Sequence, residues 1–118
     1  MLEKKFTFEE VKTYLNYENE FWNFINKKIK FIDGSVEENK FFYSTLMKFD
    51  FNNNLKDIKV IVPFVTDLKT ALVNIHEFCH AHDLYLMMGK PITNEQEYEE
   101  RAIQKENNFT KKIYKKGE

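Results

Sequence analysis

The chain has 118 residues, 42 % apolar and 16 % aromatic, with twelve Phe but only three Gly and two Pro. That composition suits one compact globular domain over residues 1–118 and excludes a disordered chain. Eighteen basic against nineteen acidic residues give no overall field toward nucleic acid or an anionic membrane, so neither is an expected partner.

Cys79 is the only cysteine, which rules out an internal disulfide. The start MLEKKFTFEE lacks the apolar core of a secretory signal, and no apolar run nears the roughly 20 residues that cross a bilayer. A reducing, cytoplasmic setting is therefore expected.

Thr7, with Glu10 three positions on, reads as a capping box. It opens a helix carrying Phe8, Val11, Leu15, Phe21, Trp22 and Ile25 that fades near Lys28. Phe31 to Ser35 is turn chemistry, and Phe41 to Phe51 is rich in aromatic and β-favouring residues, which predicts a strand. Asn52 to Asn54 separates it from a second strand, Ile58 to Val62, and the two make an antiparallel hairpin ended by Pro63. Thr66 or Asp67 caps a long helix running to about Met88, terminated by Gly89 and Pro91. Thr93 with Gln96 forms a second capping box for a last helix reaching about Ile113. The expected order is helix, hairpin, helix, helix, an α+β fold without internal repeats. The lysine-rich end, Lys111 to Glu118, reads as a solvated helix end without assigned function.

All three histidines fall in the stretch VNIHEFCHAHD. His76, Glu77 and His80 spell HExxH, and on a helix the two histidines lie one turn apart on one face, where they can share a metal ion. Zn²⁺ accepts imidazole nitrogen readily. A glutamate directly after the first histidine sits beside the metal face, placed to take a proton from water. Leu68, Leu72, Ile75, Cys79 and Leu86 form an apolar stripe with the histidines along its edge, as expected where a core helix meets a cleft. His82 falls on the opposite side and reads as structural or surface, and Cys79 as a small core residue.

Catalytic zinc usually takes three protein ligands and leaves a fourth position open, so a third must come from elsewhere. In the last helix Tyr98, Ala102, Ile103, Phe109 and Ile113 define a buried side. Glu97 and Glu100 point away from it, whereas Glu99 and Glu106 lie on it or at its margin. A carboxylate there needs a compensating charge. Glu99 is the expected ligand, Glu106 the reserve ligand or a hydrogen-bond partner, and Asp83 a candidate to orient an imidazole.

These residues resemble the gluzincin metallopeptidases, in which HExxH on one helix is completed by a glutamate on a following helix. HEFCH, from His76 to His80, matches the first element, and EERA, from Glu99 to Ala102, resembles the E-x-x-A pattern of the second. The likeness runs from about Ile58 to Phe109 and is closest to the minimal members of that group. It implies a zincin-like fold, Zn²⁺ on His76, His80 and Glu99, Glu77 as general base, and hydrolysis of peptide bonds in a peptide or protein substrate. One position departs: many relatives carry an aspartate four residues after the glutamate ligand, where this chain has Ile103, so Asp83 or Glu106 must support the histidine. Tyr98 and Tyr114 are the candidate oxyanion donors, and an extended peptide is expected to pair with an exposed strand such as Ile58 to Val62. So small a core leaves little surface for specificity; either substrates are narrow or activity needs a partner or homo-oligomer. The alternative is a catalytically degenerate metal-binding domain acting as a binding or regulatory module, and a third reading is a helical interaction domain without metal.

Overall fold

The computed structural model of the protein describes residues 5–116, so the ends of the amino-terminal stretch and of the lysine-rich tail lie outside the described residues. In chain order the elements are α1 (Phe8–Leu15), α2 (Asn19–Ile25), a 3-10 turn (Asn26–Lys28), β1 (Ile29–Ile32), α3 (Val36–Asn39), β2 (Ser44–Phe49), β3 (Leu55–Pro63), α4 (Leu68–Tyr85) and α5 (Glu95–Lys116). This is a small α+β fold.

The expected first helix is two. Thr7 caps α1 by accepting from the Glu10 amide at 3.2 Å, while the Glu10 carboxylate meets the Thr7 hydroxyl rather than its backbone. Asn16 then adopts the left-handed region, φ 54°, and ends α1. Asparagine tolerates that conformation better than other residues with a Cβ. The bend lets Val11 and Leu15 of α1 and Phe21 and Ile25 of α2 enter the same core.

The hairpin is present: β2 runs antiparallel to β3, with Thr45 opposite Val60 and Met47 opposite Ile58. The structure adds β1, parallel to β3, with Ile29 opposite Val60 and Phe31 opposite Val62. The strand order β1-β3-β2 makes β3 central, so Ile58 to Val62 has no free edge for a peptide, contrary to the sequence expectation. The open edge beside the helices belongs to β2. Ile58, Val60 and Val62 alternate inward from β3 against Ile75 and Phe78 of α4, all fully or nearly fully buried, the period-2 pattern of a half-covered sheet.

Asp67 caps α4: its side chain accepts from the Thr70 amide at 2.9 Å, and the Thr70 hydroxyl accepts from the Asp67 amide at 3.0 Å. The helix ends at Tyr85, one turn before Met88. Gly89, at φ 83°, donates to Leu55 O at 2.8 Å while Leu55 N donates to Lys90 O at 2.8 Å, which ties the end of α4 to the start of β3. A residue with a Cβ is strained at that φ. Leu86 lies beyond the helix and is exposed, so the buried stripe closes on Leu84 instead. The expected Thr93 and Gln96 box does not form. The α5 helix starts after Asn94, at φ 62°, and Gln96 turns forward to Glu100. Ala102 and Phe109 are the buried residues of α5, with Ile103 at the exposed margin. Among the described residues no helix is long and apolar enough to cross a membrane.

Candidate metal centre

His76 and His80 stand one turn apart on α4, and α5 returns alongside it after the turn at Gly89 to Asn94. This return brings Glu99 to both rings: Oε1 lies 3.2 Å from His76 Nε2 and Oε2 lies 3.0 Å from His80 Nε2. The two Nε2 atoms are 3.0 Å apart. His76, His80 and Glu99 thus form one cluster able to offer three ligand atoms.

Glu106, two turns along α5 from Glu99, meets the other nitrogen of His76: Nδ1 to Oε2 is 2.7 Å. An ionised carboxylate only accepts, so Nδ1 carries the proton toward Glu106 and, whenever the ring is neutral, Nε2 has its lone pair on the side of His80 and Glu99. The ring is thereby held as the tautomer a metal needs. In the absence of an ion the hydrogen bond to Glu106 raises the pKa of His76 against the opposing pull of burial, with the charges of Glu106, Glu77 and Glu99 adding to the rise. Three mutually close acceptor atoms call for a positive charge among them. Each imidazole nitrogen meets a different oxygen of Glu99, and with one ligand atom from each residue all three lie within 4.8 Å of one another, a spacing that can close to the about 3.3–3.4 Å between ligand atoms of a tetrahedral zinc site.

Glu77 stays outside the cluster. Its carboxylate turns toward the sheet, where Oε1 lies 2.9 Å from the hydroxyl of Thr45 on β2. The histidines, Glu77 and Glu99 face a cleft of about 380 Å³ walled by Tyr43, Thr45 and Met47 on one side and by Ile92, Glu95 and Tyr98 on the other.

No family model, curated protein or solved structure matches this chain.

Of the remaining candidates, Asp83 does not orient an imidazole. It is buried and accepts from Arg101 Nε at 3.1 and 3.2 Å, which fastens α4 to α5 one turn beyond His80. Arg101 is itself half-exposed, 47 % of its side chain against 10 % for Asp83. Replacing Arg101 by Met strands a buried carboxylate, and an equilibrium urea melt should show a loss of about 1–3 kcal/mol. His82 is structural: its ring stacks on Tyr17 at 3.9 Å and contacts the Glu18 carboxylate at 3.1 Å. Cys79 is buried in the core, and burial pushes its thiol pKa up, which makes it a poor thiolate ligand. Tyr98 lines the cleft, whereas Tyr114 is exposed and lines a separate depression beside Phe6. Two cleft residues, Tyr43 and Thr45, were not legible as such; their only signal was membership of the strand-forming run after Lys40.

Proposed function

We propose that the protein is a zinc-dependent metallopeptidase of the gluzincin type, with His76, His80 and Glu99 as ligands and Glu77 as general base. The observation that carries the reading is that two imidazole nitrogens and one carboxylate offer ligand atoms within 4.8 Å of one another, with Glu106 held against the other nitrogen of one ring. When bound there, Zn²⁺ supplies a water of lowered pKa and polarises a carbonyl oxygen. Glu77 faces the cleft from the side and takes the water proton, then passes it to the leaving amine. Tyr98 is the hydroxyl available from α5 to meet the developing oxyanion.

The edge of β2 beside the cleft suits an extended peptide as an added strand. Leu46, Met47 and Phe49 on that strand are partly exposed, which favours a chain with apolar side chains.

The test is metal analysis of protein purified without a histidine tag, followed by an assay on a mixed pool of quenched fluorogenic peptides. Stoichiometric zinc that disappears in His76→Ala, together with hydrolysis abolished by a chelator and restored by Zn²⁺, supports the reading. Zinc without hydrolysis reassigns the chain as a metal-stabilised binding module. Substoichiometric zinc unaltered by His76→Ala removes the metal centre altogether.

A further inference from the structure

We propose that Thr45 is the positioning residue for Glu77. On the metallopeptidase reading, the hydroxyl supplied by the edge strand holds the general base at the wall of the cleft and off the metal.

Thr45 Oγ1 lies 2.9 Å from Glu77 Oε1 and 2.9 Å from the Glu77 carbonyl oxygen. Neither the carbonyl nor an ionised carboxylate has a proton to give, so the one hydroxyl proton of Thr45 serves both oxygens as a bifurcated donor. The contact spans 32 positions of sequence and does not arise from helix or turn geometry. Its two ends are independently fixed. Thr45 is the second residue of β2, paired with Val60 of the central strand, and its β-branched side chain has a stiff χ1. Glu77 is one residue from His76 on α4.

A hydroxyl that merely fastened β2 to α4 would be satisfied by the helix carbonyl alone. The second contact, to the carboxylate, has a consequence for chemistry. Glu99 and Glu106 reach the histidines from α5, on the opposite side of the cleft, whereas Thr45 draws the Glu77 carboxylate toward the sheet and outside the cluster of ligand atoms. Oε2 of Glu77 has no hydrogen-bond partner among the described residues, and Glu77 lines the cleft together with His76, His80 and Glu99. Thr45 therefore keeps an adjacent third carboxylate from becoming a ligand and presents one of its oxygens for proton transfer.

Removing a hydrogen bond to a charged group should lower kcat about 10- to 100-fold in Thr45→Val, with KM within about twofold and zinc content unchanged. Thr45→Ser, which restores the hydroxyl, should recover most of the rate. A measurement independent of turnover is the affinity of acetohydroxamate for the zinc-loaded protein. This chelator binds the ion through two oxygens and gives a proton to a neighbouring base. Thr45→Val should weaken it about tenfold in the wild-type background and leave it unchanged in a Glu77→Gln background, where the base is already lost. Equal weakening in both backgrounds, or none in either, overturns the role of Thr45 and leaves the metallopeptidase reading standing. Failure of the wild-type protein to hold zinc removes the metal centre, and this inference with it; failure of the zinc-loaded protein to bind acetohydroxamate overturns the inference alone. Thr45→Ala serves in the same cycle if the valine variant does not fold.

Discussion

On the proposed metallopeptidase reading, Glu77→Gln is expected to lower peptide hydrolysis about 10²- to 10⁴-fold while leaving zinc content and thermal stability close to those of the unmodified chain. The amide has the same shape, and its carbonyl oxygen can still accept from Thr45, so the wall between β2 and α4 is kept. What is lost is the capacity to take a proton. The pairing of readouts matters because a plain loss of activity would follow equally from a collapsed site. Zinc analysis by plasma spectrometry and a melting curve on the same preparation separate the two. A Glu77→Gln variant that hydrolyses peptides at the original rate excludes the general-base role. If instead the chain works as a metal-bearing binding module, the variant retains every function, since neither His76, His80 nor Glu99 is disturbed.

The helix that carries the histidines was legible because three independent signals agree: a 3.6-residue apolar period, an acidic cap at Asp67 and a glycine stop at Gly89. The same period placed Glu99 and Glu106 on the buried side of α5 or at its margin; both reach the histidines, Glu99 from a margin where its side chain is 53 % exposed. What was not legible depended on partners remote in sequence. β1 has four residues, too few for a strand pattern to stand out beside the Asp33-Gly34 turn, and it exists because β3 offers a parallel ladder. Whether Ile58 to Val62 is central or at an edge is likewise a property of the sheet, not of the strand. Asn16 looks like any helical polar residue until its left-handed φ splits the first helix. Asp83 had the spacing of an imidazole partner, but Arg101 from α5 claims it. The role of Thr45 is of the same kind, since its partner is on another element.

The assignment of Glu99 and Glu106 makes two substitutions behave differently. On the proposed ligand set, Glu99→Ala removes the carboxylate whose two oxygens each meet one imidazole and leaves only nitrogen donors, so zinc affinity should fall by at least about 10³-fold, given the large binding free energies of complete zinc sites. Glu106→Ala leaves all three ligand atoms in place and frees only the ring of His76, for which a 10- to 100-fold loss is the expected scale. Glu106→Gln should fall between Glu106→Ala and the unmodified chain, because its amide oxygen still accepts from Nδ1 but without a charge. Competition titration against a chromophoric zinc chelator resolves the series. The order matters more than the magnitudes: a larger loss on replacing Glu106 than on replacing Glu99 would exchange their roles, with Glu106 becoming the ligand. The geometry argues against that exchange. Glu106 meets His76 at Nδ1, on the far side of the ring from His80 Nε2, and one ion cannot occupy both sides of an imidazole. Among the described residues Glu99 alone spans the two Nε2 atoms with its two oxygens, whereas Glu106, seven residues further along α5, meets only Nδ1 of His76.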